Sequence, residues 1–223
     1  MSDRLPPSAL PMPALNEMRL PGAREPGALV CPAGVDARFV RQGPTWRLRE
    51  HPEAIAVVDR GSRMHTFAPE AKAVVSAMVM TAQARGWRAM EVTGTEAFRR
   101  AAYIEATARG MPVTGHEPSD ADRAAAHRSG ELIASLRNPM VQAYLKATSA
   151  ADRRAACSTY PPLDKAFKAE DAARQAAVTQ RGLGEKGAER FLARFRENTA
   201  IALHHGRAIP DVARNSRGGE VSR

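Results

Sequence analysis

Along residues 54–118, the spacing of apolar residues alternates between the pattern of strands and the pattern of helices. Residues 54–59 are apolar and partly β-branched, Gly61 supplies a turn, and residues 63–67 alternate in polarity, which together predict a β-hairpin. Pro69 then begins a predicted helix, because proline is tolerated in the first helical turn. Six apolar residues of this helix fall on one face: Ala71, Val74, Val75, Met78, Val79 and Ala82.

A strand, a helix and another strand are predicted after Gly86, which ends the first helix. Residues 87–92 predict a strand, Thr95 is an N-cap, and residues 111–114 predict a last short strand. The inner apolar positions of the helix between them are Phe98, Ala101, Ile104 and Ala108. The order β-β-α-β-α-β predicts two crossover helices over a small sheet with the hairpin at one edge. Residues 41–118 are therefore expected to form an α/β (α+β) domain.

Residues 119–209 carry helical patterns only. Helices are predicted at residues 120–136, 139–146, 161–180 and 185–207, with proline or glycine between them. The last helix has a buried stripe made of Ala188, Phe191, Leu192, Phe195, Thr199 and Ala202. The sequence thus predicts an all-helical C-terminal region, followed by a flexible tail at residues 210–223.

The first 40 residues contain seven prolines and no periodic apolar stripe. Proline removes a backbone donor and fixes φ, so we expect a disordered arm at residues 1–40. Its four arginines are balanced by four acidic residues, so it is not a polybasic tail.

Charge adds an expectation about partners. The 223 residues include 33 Lys and Arg against 24 Asp and Glu, a net charge of +9, which favours nucleic acid as a partner. Residues 41–118 contribute +3 and residues 119–223 contribute +6. Because this excess is spread along helices, binding to DNA should be weak and salt-dependent.

The cysteines and the hydropathy of the sequence indicate the cellular compartment of the protein. Cys31 and Cys157 lie far apart, which excludes a disulfide-rich scaffold and fits a reducing cytoplasm. No apolar run approaches the roughly 18 to 20 residues that span a bilayer, and no leader pattern opens the sequence. We expect a cytoplasmic protein with no membrane partner.

Two places carry candidate phosphate contacts. Gly94 and Thr95 form a strand-to-helix turn whose amides and helix dipole favour an anion, and Arg99 and Arg100 lie one turn further on. On the last helix, Arg190 and Arg194 share a face at i and i+4. The alternatives are that Thr95 is only a cap, that the arginines are solvated, and that Glu185, Glu189 and Glu197 neutralise the last helix through intrahelical ion pairs.

The same search predicts no catalytic residue, metal site or cofactor. The adjacent residues His204 and His205 point about 100° apart on a helix and cannot chelate one ion. No nucleotide-binding glycine pattern occurs. Asp59 and Glu91 are the only carboxylates that suit an acid–base pair, and no nucleophile or metal motif accompanies them, so we expect no enzyme.

Four separated motifs carry a family resemblance: DRG at 59–61, ARGW at 84–87, VTGTEAFRR at 92–100 and EATARGMPV at 105–113. Together they resemble the seventh of the large polyvalent-protein-associated domains over about residues 50–118. The resemblance implies a protein of a conjugative plasmid, an integrative element or a phage. In such proteins this domain often follows a relaxase domain or accompanies other DNA-processing modules.

Residues 160–210 are similar to the segment that commonly follows this domain in relaxase-type proteins. The sequence lacks the catalytic motifs of a relaxase, which are a nucleophilic tyrosine near the N-terminus and a histidine cluster that holds a divalent cation. Its only tyrosines are Tyr103, Tyr144 and Tyr160, and no His-x-His occurs. The resemblance therefore implies a non-catalytic accessory protein that assists DNA transfer or processing. The alternatives are a protein–protein adaptor that docks a relaxase or another transfer protein on alanine-rich helices, or a relaxase C-terminal piece split from its catalytic domain.

Overall fold

The computed structural model describes residues 15–23, 29–30, 32–68, 72–179 and 183–209. The chain forms two compact units, residues 1–129 and 130–223. The prediction of a mixed α and β fold with a helical C-terminal region is confirmed.

The first unit contains one seven-stranded sheet with the order β2-β3-β4-β5-β1-β6-β7. Only β6 and β7 run parallel, and every other neighbouring pair is antiparallel. Its elements are β1 (Asn16–Arg19), α1 (Ala33–Asp36), β2 (Phe39–Gln42), β3 (Thr45–Leu48), β4 (His51–Asp59), β5 (Arg63–Thr66), α2 (Lys72–Ala84), β6 (Met90–Thr93), α3 (Glu96–Ala108), β7 (Val113–Thr114) and the start of α4 (Asp120–Ser135).

The predicted hairpin is present as β4 and β5, but its predicted position at the sheet edge is wrong. β3 pairs with the free side of β4, and β2 extends the sheet beyond β3. These two short strands were not predicted because each has only four residues of mixed polarity. Trp46 of β3 is fully buried and its ring contacts Phe39, so this tryptophan belongs to the core.

β1 corrects the prediction of a disordered arm at residues 1–40. Met18 pairs with Met64 of β5 on one side and with Val92 of β6 on the other, which places β1 inside the sheet. Proline flanks this strand but does not enter it, and two ready strand edges supply its ladder partners. α1 and β2 are also ordered within this range. Residues 1–14, 24–28 and 31 lie outside the described residues.

β1 also changes the predicted crossovers. α3 connects the parallel neighbours β6 and β7, as a crossover helix should. α2 connects β5 to β6, which β1 separates, so its connection passes over one strand. Both helices bury apolar residues against the sheet in one core, whose largest members include Met18, Met64, Met78, Met90 and Phe98.

A buried carboxylate, Asp59, joins three elements of this unit. Its side chain has no solvent exposure, and Arg85, 4% exposed, donates to both carboxylate oxygens at 2.8 and 2.6 Å. The amide of Gly61 donates to the same carboxylate at 2.9 Å, and Arg41 of β2 lies 3.6 Å away. Because Asp59 ends β4 and Arg85 follows α2, the ion pair fixes the helix to the end of the hairpin.

The described part of the second unit contains helices and no strands. It comprises the end of α4 together with α5 (Pro139–Lys146), α6 (Ala150–Thr159), α7 (Leu163–Thr179) and α8 (Glu185–His204). α6 was not predicted, because only Ala156 of its ten residues is buried and it shows no apolar stripe. Its start is a capping box formed by Ser149 and Asp152. The predicted tail at residues 210–223 lies outside the described residues.

Glu170 of α7 is a second buried carboxylate. Tyr144 donates its hydroxyl to Glu170 at 2.9 Å, and Arg153, Arg174 and Arg196 lie 3.2, 3.3 and 3.5 Å away. Burial, followed by the charge of Glu170, raises the pKa of Tyr144. This network links α5, α6, α7 and α8. In the described part of the chain, no helix is long and apolar enough to cross a membrane.

We expect Arg85→Ala to lower the free energy of unfolding by about 3–5 kcal/mol, because it leaves a buried carboxylate without its main partner. Urea unfolding followed by circular dichroism measures this loss. Arg88→Ala is the control, since Arg88 is an exposed neighbour and a surface substitution of this kind changes stability by about 0.5 kcal/mol or less. Equal stability of the two variants would contradict a stabilising role for the Arg85–Asp59 ion pair.

Candidate functional site

The turn between β6 and α3 is built on a glycine. Gly94 has φ +122°, and a Cβ at this position would lie 2.5 Å from Oδ1 and 2.7 Å from Cα of Asn16. Thr95 is the N-cap, as predicted, and its Oγ1 accepts from the amide of Phe98 at 3.3 Å. The turn is thus shaped by the close approach of β1.

Asn16 accepts hydrogen bonds from the two Thr95 groups that were predicted to contact an anion. Its Oδ1 accepts from the Thr95 amide at 2.9 Å and from the Thr95 hydroxyl at 3.0 Å. A phosphate at this amide would have to displace the Asn16 side chain. Asn16 was missed because it lies in the proline-rich segment and because Met18 is the one apolar residue among the four of β1, so the sequence of this strand carries no period-2 signal.

Arg99 is half-buried and holds the loop after β7. Its Nη1 donates to the carbonyl of Gly115 at 3.0 Å, and its buried Nε has no acceptor among the described residues. Gly115 has φ +91°, and a Cβ there would lie 2.0 Å from the carbonyl oxygen of Val92. Arg99 forms no ion pair with a described carboxylate, so its charge is not neutralised by one of them.

Arg100 is bound to Asp122 at the start of α4. Its Nε donates to Asp122 Oδ1, while 52% of the Arg100 side chain stays exposed. Asp122 Oδ2 also accepts from the Ser119 amide at 3.1 Å and lies 3.3 Å from Nε2 of His116. Led by the Arg100 hydrogen bond and against the effect of burial, these contacts hold the pKa of Asp122 well below its ordinary value.

α8 carries a row of exposed cations, which we call the α8 stripe: Lys186, Arg190 and Arg194. They are spaced at i, i+4 and i+8, so they share one face over about 12 Å at roughly 1.5 Å per residue. None of the three forms an ion pair within the described residues, and the intrahelical pairs proposed as an alternative are not formed there. Arg196, in contrast, turns inward to Glu170.

The six predicted site residues therefore fall into two groups. Gly94, Thr95, Arg99 and Arg100 lie together in the first unit, and Arg190 and Arg194 lie in the second. Lys186 joins the second group, and its i−4 spacing from Arg190 is the signal that identifies it.

The structure does not bring Asp59 and Glu91 together as an acid–base pair. β5 and β1 separate their strands, and each carboxylate pairs with its own arginine, Asp59 with Arg85 and Glu91 with Arg19. Among the described residues, no group of three or more His, Cys, Asp or Glu side chains is placed to hold a metal ion. His204 and His205 lie at the end of α8.

We expect Gly94→Ala to lower the free energy of unfolding by about 2–4 kcal/mol, from backbone strain and the displaced Asn16 hydrogen bonds. Gly110→Ala is the matched control, because Gly110 also has positive φ, +76°, but nothing lies within 4 Å of its added Cβ. That control should lose about 1–2 kcal/mol. Thermal unfolding measures both, and equal losses would contradict a role for the approach of β1.

We expect Asp122→Asn to destabilise the protein at neutral pH and to have a smaller effect in acid. The lowered pKa of Asp122 means that its ionised form stabilises the fold above its ordinary pKa of about 3.9. That contribution is lost as the pH falls below about 4 towards the lower folded-state pKa. Urea unfolding of both proteins from pH 7 to pH 2.5 tests this, and a difference that does not change with pH would contradict it.

Residues 33–129 match the family model described as large polyvalent protein-associated domain 7. No curated protein and no solved structure matches the chain. The matched residues run from α1 into α4 and contain β2 to β7, so they extend beyond residues 50–118, where the motifs placed the resemblance. β1 lies before the matched segment. The resemblance is confirmed, and residues 33–129 are identified as a large polyvalent protein-associated domain 7.

Proposed function

We propose that this protein is a non-catalytic accessory protein of a mobile genetic element that assists DNA transfer or processing by contacting nucleic-acid phosphates. The family match at residues 33–129 supports the mobile-element context. The observation that carries the binding proposal is the α8 stripe, whose three cations are exposed and unpaired within the described part of the chain.

The geometry of the α8 stripe suits a phosphate backbone. Its three cations are spread over about 12 Å, so each of them can contact a different phosphate of a nucleic-acid backbone. Arg190 and Arg194 present guanidinium groups that donate two parallel hydrogen bonds to a phosphate. Such contacts read charge and not base sequence, so the proposed binding is weakly specific.

The first unit contributes less in this proposal. Arg100 shares its charge with Asp122, and the Thr95 donors contact Asn16, so both offer reduced attraction to an anion. Arg99 keeps its charge but already donates to Gly115. We therefore rank Arg99 and Arg100 behind the α8 stripe, with Gly94 and Thr95 in a supporting position.

The non-catalytic part of the proposal is supported by how the buried acids are used. Asp59, Asp122 and Glu170 each pair with arginine, and each of these pairs connects separate elements of the fold. A carboxylate whose oxygens are occupied by such a pair holds structural elements together and is not free to contact a substrate.

We expect labelled single- and double-stranded oligonucleotides to bind at low salt, with affinity falling along a log–log salt slope of about −2 to −3 for three phosphate contacts. Arg190→Ala combined with Arg194→Ala should reduce the magnitude of that slope by about 2. Arg99→Ala combined with Arg100→Ala should have a smaller effect. Fluorescence anisotropy measures all of these.

Arg137→Ala combined with Arg154→Ala is the matched control, because it removes two exposed arginines from the same unit outside the α8 stripe. It should leave the slope close to that of the wild type. The assignment is wrong if the control and the α8 variant lose the same affinity, and the binding proposal is wrong if the wild type binds neither oligonucleotide at low salt.

A further inference from the structure

The second unit contains an open groove between three of its helices. Its volume is about 700 Å³, within the range of protein ligand sites. The lining comes from the start of α5, one face of α7, the end of α8 and the residues that follow α8: Met140, Pro162, Lys165, Ala169, Leu203, Gly206, Arg207, Ala208 and Ile209.

The chain after α8 forms a fixed wall of this groove. Gly206 has φ +62°, and the Arg207 amide donates back to the carbonyl of Ala202 at 2.8 Å. This reversal is a Schellman cap, which satisfies a free helix carbonyl and directs the following residues across the helix end. Ile209 packs against the core cluster of the unit, so the wall is anchored at both ends.

The groove combines an apolar surface with positive charge. Lys165 and Arg207 are exposed and form no ion pair within the described residues, and no carboxylate occurs in the lining. Aliphatic residues and alanines make up most of the rest. The described lining residues include no aromatic side chain, so they offer no stacking platform of the kind by which proteins hold single-stranded bases.

We propose that this groove docks an acidic amphipathic helix of a partner protein. The apolar side chains of such a helix, at i, i+3, i+4 and i+7, would cover Met140, Ala169 and Leu203. Carboxylates beside that apolar face would pair with Lys165 and Arg207. This charge complementarity selects an acidic partner over a basic one.

The test uses fluorescein-labelled peptides of about 18 residues and the full chain. One peptide places leucine on a helical stripe with glutamate elsewhere, the second replaces each glutamate with lysine, and the third scrambles the first to remove the stripe. Anisotropy should show binding of the first peptide only. Lys165→Glu combined with Arg207→Glu should weaken that binding at least roughly tenfold. Arg190→Glu combined with Arg194→Glu, with the same charge change on the α8 stripe, should change it little.

Circular dichroism and thermal unfolding should show both double variants folded like the wild type, since all four side chains are exposed. If the Lys165 and Arg207 variant unfolds, Ala169→Trp, which fills the groove at a half-buried position, takes its place. Failure of the acidic amphipathic peptide to bind, or binding equal to that of the scrambled peptide, would overturn the proposal. Displacement of the bound peptide by single-stranded DNA in the Arg190→Glu and Arg194→Glu variant, whose α8 stripe no longer attracts phosphates, would also overturn it, because the groove would then be a nucleic-acid site.

Discussion

A carboxylate removed from water must be met by cations and hydrogen-bond donors, and this requirement organises both units. Arg41 of β2 and Arg85 at the end of α2 both approach Asp59, and the turn that follows its strand supplies the Gly61 amide. Glu170 is reached from α5, α6, α7 and α8. Such clusters add little net stability over apolar packing, but losing one member is costly, so each cluster penalises packings that separate its elements.

These clusters also divide the arginines into two classes. Arg85 pairs with the buried Asp59, and Arg153 and Arg196 lie beside the buried Glu170, so buried acids balance these charges. The positive surface charge behind the net charge of +9 therefore comes from cations that no buried acid balances, such as Arg190, Arg194, Lys165 and Arg207. Total charge alone does not separate these classes. Because the buried acids take up some arginines and not others, the remaining cations leave two surfaces with different chemistry. The α8 stripe is charged along a helix, and the groove is apolar with charged rims.

Local patterns predicted the elements whose own residues carry a strong signal. α2 follows from its apolar stripe, α3 from Thr95 at its start, α5 from Asn138 and Pro139, and the β4–β5 hairpin from polarity and Gly61. The predicted stripe of α3 is wrong except for Phe98, because Ala102 and Ala106 are its other buried residues. Short strands carry too little periodicity, and β1 becomes a strand only because β5 and β6 present free edges to it. The turn between β6 and α3 was likewise predictable only in its local features. Thr95 was recognisable as a cap, but its contact with Asn16 joins residues 79 positions apart, which local spacing does not reveal.

The central position of β1 also sets the order in which the first unit can be completed during synthesis. β1 leaves the ribosome before either strand that it pairs with, and Arg19 and Glu91 are separated by 72 positions. The hairpin β4–β5 can form early from neighbouring residues and β1 can then pair with β5, whereas the sheet stays incomplete until β6 and β7 have emerged. Until then the nascent chain presents the second edge of β1 unpaired, and β6 must emerge before that edge is covered.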